Sequence, residues 1–262
     1  MFDIHFLQNA TPYKDKIVAG DFLFSDADEI EKELETLRIR KPRVFNIETT
    51  NYCNMKCIMC PRTELMTRKN IWIDDDAFLK VVDQVQPYSN QDLEEFWKFI
   101  ESEYGLKGDE PTENTFYFRV VSRCVILHGY GEPLLDKNIV ERVKLCEERG
   151  IPTYFSCTAA NLTLERAKAV MDAGLTVFKF SIDALDDEWQ KRIRGKQNNF
   201  DASYRTVLDI IDLKKAKGYD TLLVPCMIAL SEAQENREMH NQFMGLWKGK
   251  DVFAYIKSQD NR

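Results

Sequence analysis

From residue 44 onward, short apolar runs rich in β-branched residues alternate with longer segments whose apolar positions recur every three or four residues. The first pattern predicts strands and the second amphipathic helices. Strands are predicted at 44–49, 124–128, 153–157, 177–182, 222–228 and 252–257, and helices at about 75–85, 136–149, 164–173, 204–217 and 232–247. Helix punctuation agrees with these assignments. Asp74 precedes the first helix, and Gly150, Gly174 and Gly218 follow the next three. Ser231 with Gln234 matches the S-x-x-Q capping box, whereas Thr163 with Arg166 supplies half of one. Strands alternating with helices imply an α/β fold with a parallel sheet and right-handed crossovers. Six repeats are too few for a closed eight-stranded barrel but enough for an open one. A doubly wound sheet fits the same pattern, and periodicity does not choose between them.

Two segments depart from this rhythm. Residues 1–43 form an N-terminal extension with an acidic helix at about 26–37, followed by the basic run Arg38-Ile39-Arg40-Lys41-Pro42-Arg43. The run is a solvated lead-in or a device for steering an anion. Within the core, residues 44–262, an insertion at 87–123 carries a helix with Leu93, Phe96, Trp97, Ile100 and Tyr104 on one face. It leads from a helix into a strand, which in a βα barrel lies opposite the chemistry. It is expected to be an extra packing layer or, alternatively, a surface for a partner or substrate.

Charge and cysteine usage narrow the function. The 262 residues carry a net charge of −7, so there is no basic footprint for nucleic acid. No apolar run reaches the length of a membrane span, and the first residues lack the basic start and apolar core of a secretory signal. Of seven cysteines, three fall within eight residues. An odd, clustered set points to metal ligation in a reducing compartment, and a cytoplasmic protein is expected.

The three are Cys53, Cys57 and Cys60, in Thr49-Thr50-Asn51-Tyr52-Cys53-Asn54-Met55-Lys56-Cys57-Ile58-Met59-Cys60-Pro61-Arg62, directly after the first predicted strand. Thiolates spaced C-x3-C-x2-C on one loop can hold three corners of an iron–sulfur cubane. The alternatives are a structural zinc site or buried free cysteines. Zinc would require a fourth Cys or His at short spacing, and His5, His128 and His240 are all remote. Regular spacing on a polar loop disfavours the second alternative. The other four, Cys124, Cys146, Cys157 and Cys226, lie in strand or helix patterns and read as small core residues. At the end of the next strand stands His128-Gly129-Tyr130-Gly131-Glu132-Pro133, where glycines permit close backbone approach and a carboxylate can accept from an ammonium.

Cysteine spacing and the G-x-G-E-P turn together resemble the radical S-adenosylmethionine (SAM) superfamily, over about residues 44–258. The resemblance implies a partial (β/α)6 TIM barrel with its site at the C-terminal ends of the strands. It further implies a [4Fe–4S] cluster on Cys53, Cys57 and Cys60, with SAM on the fourth iron. Electrons would come from a donor such as flavodoxin or ferredoxin, and a 5′-deoxyadenosyl radical would abstract hydrogen from a small-molecule or peptide substrate. By the same resemblance, Met59 packs on adenine, and Gly129, Tyr130, Gly131 and Glu132 hold SAM, the last through its amine. Ser181 and Asp183, in Phe180-Ser181-Ile182-Asp183, and Arg194 complete the SAM contacts; a helix cap for Asp183 and a solvated Arg194 are the competing readings. Cys157-Thr158-Ala159-Ala160-Asn161 stands where relatives carry T-N-G or T-N-A, and Ala159 lacks the amide side chain. The run Cys57–Arg62 resembles the branch with a C-terminal SPASM domain, which carries auxiliary clusters and acts on peptides or carbohydrates. No cysteine follows Cys226, so that domain is expected to be missing from this chain.

Overall fold

Alternate residues of the strands face two different cores, and this sorting shapes the molecule. The computed structural model describes residues 1–21, 27–38, 43–230 and 234–259. An N-terminal pair, α1 (Ile4–Ala19) and α2 (Ala27–Leu37), precedes the core. The core then runs through α3 (Arg62–Leu65), α4 (Asp75–Val82), α5 (Asn90–Tyr104) and α6 (Glu113–Phe116), the last continuing into a π-helical turn at Tyr117–Val121. From there strands and helices alternate: β1 (Val125–Ile126), α7 (Ile139–Glu147), β2 (Thr153–Thr158), α8 (Leu164–Asp172), β3 (Val177–Ser181), α9 (Asp187–Arg194), α10 (Phe200–Lys217), β4 (Leu222–Ala229), α11 (Gln234–Trp247) and β5 (Tyr255–Ser258). All five strands are parallel in the order β1-β2-β3-β4-β5, which with the surrounding helices makes a half-barrel. The expectation of a partial barrel holds, and the doubly wound alternative is ruled out by the sequential strand order.

Phe155, Cys157, Phe178, Phe180, Leu223 and Met227 face outward into the layer of helices. Phe155, Phe178 and Phe180 are fully buried, each contributing roughly 1.5–3 kcal/mol of transfer free energy. The inward positions Tyr154, Val177, Val224, Cys226 and Tyr255 form a second, smaller cluster. Its floor comes from the 87–123 segment. Phe116, Val120 and Val121 enter the concave side at the N-terminal ends of the strands, where Phe116 stacks on Tyr255 (5.0 Å between centroids) and meets Tyr154 edge-on (5.5 Å). α5 buries Phe96 and Ile100, as its apolar stripe predicts. The insertion is therefore a packing layer, and it closes the end opposite the mouth.

Several boundaries differ from the expectation. Residues 44–49 form no strand; the segment is extended and joined to β1 by one parallel bridge, Asn46 to Ile126, with Ile47 N donating to Ile126 O at 2.8 Å. The cause is its partner, since β1 has two residues before the chain leaves the sheet, and Thr50 pairs with Trp72 instead. α7 begins three residues late because the Asp136 carboxylate accepts from Arg142 Nε (2.9 Å) and Asn138 N (3.0 Å), after a 3-10 turn at Pro133–Leu135. α10 begins early because Asn199 caps it, accepting from Ala202 N at 2.7 Å. α1 and α9 are absent from the expectation; each has an aspartate cap, Asp3 and Asp186. The Ser231–Gln234 capping box and most of the basic run, residues 39–42, lie outside the described residues. No helix among the described residues is long and apolar enough to cross a membrane.

Candidate active site

Every predicted site residue except Met59, the cysteines and Arg194, which ends α9, sits on a strand end or the turn that follows it. In a parallel βα sheet those ends emerge together at one face. The cysteine loop leaves the extended segment at Asn51 and lies across that face, pinned at both sides. Glu132 N donates to Tyr52 O (2.7 Å), Lys56 N to Arg194 O (3.3 Å) and Ile58 N to Ile193 O (2.9 Å). Asn54 exchanges side-chain hydrogen bonds with Asn161 (2.8 and 2.9 Å) and donates to Gln197 (2.9 Å). Arg62 Nε closes the loop by donating to Asn51 O at 3.0 Å. The third cysteine follows a tight turn in which Cys60 N donates to Cys57 O at 3.1 Å.

Gly131 packs directly on the backbone carbonyl of Thr50, where any Cβ would collide. Gly129 lies against the Glu48 carboxylate in the same way, and Glu48 accepts from Tyr130 N at 2.7 Å. The turn needs glycine at position 131 to pass beneath the loop, whereas at 129 a Cβ would meet the Glu48 side chain rather than backbone. Tyr130 itself is 42% exposed at the rim.

Glu132 is buried, and its two oxygens accept from Leu134 N (3.1 Å) and Thr158 N (2.8 Å). Burial pushes its carboxyl up to about 7, against the pull of those two backbone N–H groups. The protein thus holds in place a carboxyl that charges readily only when a cation arrives.

Cys53, Cys57 and Cys60 are free thiols, the second buried and the others half-buried. Burial raises Cys53 to about 11, with Glu132 and Cys57 adding to the shift, and burial also raises Cys57, with Cys60 adding to it. Such thiols stay protonated at neutral pH until a metal displaces the proton. Among the described residues no three Cys, His, Asp or Glu side chains surround a single ion. A cubane does not ask them to, because each thiolate takes its own iron corner. The donor set suits a cluster better than zinc.

Asp183 and Arg194 form a buried ion pair through Arg194 Nε, and neither predicted competitor, cap or solvated Arg, survives. Asp183 also accepts from Ile228 N at 2.9 Å, tying β4 to the pair. The other edge of the guanidinium faces the loop, with Nη1 3.7 Å from Cys57 Sγ. Ser181 Oγ lies 3.3 Å from Ser156 Oγ on the inner wall. Met59 is half-buried on the loop.

One residue at the centre of this arrangement was not foreseen. Asn198 is fully buried, and its amide donates to Met55 Sδ (3.0 Å), Arg194 O (3.1 Å) and Gly195 O (3.2 Å), while its oxygen meets Thr158 Oγ1 at 2.9 Å. It joins loop, β2 and α9 in one network. In the sequence it stands in the polar run Gly195-Lys196-Gln197-Asn198-Asn199, which reads as an ordinary turn. Asn161, two residues after Ala159, likewise supplies an amide contact to the loop.

A model of the radical SAM superfamily matches residues 118–238. The matched stretch contains Gly129–Glu132, Ser181, Asp183 and Arg194 but begins after the cysteine loop. GTP 3′,8-cyclase of Staphylococcus haemolyticus (strain JCSC1435) is 25% identical over 181 residues, covering 69% of this chain and 44% of that protein. The tungsten-containing aldehyde ferredoxin oxidoreductase cofactor-modifying protein of Pyrococcus furiosus is 26% identical over 139 residues, 53% and 30% of the two chains. The matches thus span less than half the length of these curated relatives. Among solved structures, Streptococcus suis SuiB bound to S-adenosylmethionine superposes with a TM-score of 0.57 at 12% identity, over 97% of this chain and 53% of that one. Methylornithine synthase (PylB) superposes with a TM-score of 0.51 at 15% identity, over 83% and 54%. Both likenesses concern the fold.

Proposed function

We propose that this chain is a radical SAM enzyme whose cluster sits on Cys53, Cys57 and Cys60 and whose substrate is a peptide or a carbohydrate. The reading is carried by one observation: the buried Glu132 carboxylate and the three-cysteine loop are joined through the Glu132 N to Tyr52 O bond at the mouth of the half-barrel. When bound, the [4Fe–4S] cluster and SAM supply one-electron cleavage of a sulfonium C–S bond and removal of a hydrogen atom from substrate. Cys53, Cys57 and Cys60 ligate three irons and leave the fourth for SAM. Glu132 accepts from the SAM ammonium, its own charge stabilised by that cation. Gly129 and Gly131 let the turn approach the loop without a side chain between them, and Tyr130 and Met59 border the bound nucleoside. Ser181 donates to SAM from the inner wall, and Arg194, oriented by Asp183, places its charge beside Cys57. The Phe116 floor excludes water from the opposite end. A flavodoxin- or ferredoxin-like donor in a cytoplasmic setting supplies the electron.

The test is anaerobic reconstitution with iron and sulfide, followed by dithionite and SAM. Formation of 5′-deoxyadenosine, with a reduced-cluster paramagnetic signal that changes on SAM addition, is the expected outcome. A cluster indifferent to SAM makes the chain an electron-transfer module, and zinc in place of iron removes the reading altogether.

A further inference from the structure

Beneath the mouth, the inner wall of the half-barrel holds a cation with no ion-pair partner among the described residues. Lys179 of β3 is 8% exposed; its ammonium donates to the Tyr255 hydroxyl at 2.8 Å and lies 5.4 and 5.1 Å from the ring centroids of Phe116 and Tyr255. The carboxylates nearest this wall are engaged elsewhere. Glu113 pairs with Lys257 and accepts from Ser258 N, Asp183 pairs with Arg194, Glu48 pairs with Arg68, and Glu132 accepts from backbone N–H groups. Among the described residues none forms an ion pair with Lys179. A buried ammonium without a counter-ion is costly, and aromatic faces offset only part of that cost.

The polar groups above Lys179 are donors as well. Ser181 is two residues further along β3 on the same face, about 6–7 Å away, and shares its hydroxyl contact with Ser156. His128 accepts from Ser156 N at Nδ1 (3.2 Å), so the neutral ring carries its proton on Nε2. Burial and the Lys179 charge lower this histidine to about 3, which keeps it neutral. Among the described residues the wall therefore offers one ammonium, the hydroxyls of Tyr255, Ser156 and Ser181, the Cys226 thiol and an imidazole N–H, and no carboxylate that is not engaged elsewhere.

We propose that Lys179, with Tyr255 and the Ser156–Ser181 pair, binds an anionic group of the substrate, a carboxylate or a phosphate, at the floor of the half-barrel. The anchor fixes one end of the substrate and directs the rest upward to the C-terminal strand ends. This inference rests on the reading of the mouth as the SAM site, but its own evidence is separate. A purely structural lysine, held for its contacts with the Phe116 and Tyr255 rings, predicts different behaviour.

The test is the melting temperature of the reconstituted protein in acetate and in inorganic phosphate, each against chloride at equal ionic strength. The wild type should be stabilised by one or both anions, and the stronger response tells carboxylate from phosphate. Lys179→Met should weaken the apparent anion affinity by at least about tenfold and melt no lower than the wild type in chloride, because it removes an uncompensated buried charge. Tyr255→Phe, which keeps the ring stack, should weaken the response without unfolding the chain, and it carries the test if Lys179→Met fails to fold. A wild type that responds to neither anion overturns the proposal, as does a Lys179→Met variant that melts lower yet keeps the response. Repeating the measurement without the cluster separates the two readings, since 5′-deoxyadenosine formation reports on the mouth and the anion response on the floor.

Discussion

Arg194 Nη1 lies 3.7 Å from Cys57 Sγ while Nε is held by Asp183, so a fixed positive charge stands against the middle cysteine of the loop. Adding an electron to a cluster at that cysteine adds negative charge, and the guanidinium favours the reduced state. Arg194→Gln should therefore lower the midpoint potential of the reconstituted cluster. Loss of a charge-assisted hydrogen bond of about 1.5–3 kcal/mol corresponds to on the order of 65–130 mV for one electron. Potentiometric titration followed by electron paramagnetic resonance measures this, and an unchanged potential at full iron loading refutes it.

Replacing Cys53, Cys57 or Cys60 by Ala should abolish iron binding on reconstitution, because two thiolates do not hold a cubane. Cys124, Cys146 and Cys226 are buried in the core, so Ala there should keep the iron and cost about 1 kcal/mol of stability. Iron analysis and thermal denaturation distinguish the two groups.

Asn198→Ala should loosen the loop while sparing the thiols. The substitution removes the side-chain bonds to Arg194 O, Gly195 O and Thr158 Oγ1, each of which keeps a single backbone N–H partner, a loss of roughly 1–3 kcal/mol. The expected phenotype is a lower melting temperature together with faster loss of iron to a chelator. Unchanged chelation kinetics would mean that the loop does not depend on this network.

Most of the core was legible because buried parallel strands read as continuous apolar runs: 153–157, 177–182 and 222–228 all fall on β2, β3 and β4. The strands flanking the site were less so. Residues 44–49 have a strand's composition, but pairing depends on a partner that ends after Ile126, and that is a tertiary fact. α1 was obscured by Pro12 in its interior, and α9 by a charged sequence that offers little apolar period. The cysteines and the Gly129–Glu132 turn announced themselves by spacing. Asn198 and Lys179 did not, since a lone Asn in a polar run and a lone Lys in a strand acquire meaning only when burial at 0% and 8% is known.

The last prediction concerns Glu132, whose carboxyl is raised from 4.5 to about 7 by burial. A folded-state value above the unfolded one contributes stability that is complete below about pH 4.5 and is lost as pH rises through about 7. In the absence of SAM, the wild type should therefore lose on the order of 2–3 kcal/mol relative to Glu132→Gln between pH 4.5 and 8. SAM reverses the balance, because its ammonium favours the ionised carboxylate. SAM affinity should fall as pH is lowered from 8 towards 5.5, by up to about tenfold per unit below the carboxyl's pKa. At pH 8 Glu132→Gln should bind SAM about 10- to 150-fold more weakly with iron content unchanged, since Glu132 is not an iron ligand. 5′-Deoxyadenosine formation should fall likewise at low SAM and recover in part at high SAM, which separates a binding defect from a folding one. If Glu132→Gln binds SAM as tightly as the wild type, with the same pH dependence, the carboxylate has no part in holding the cofactor.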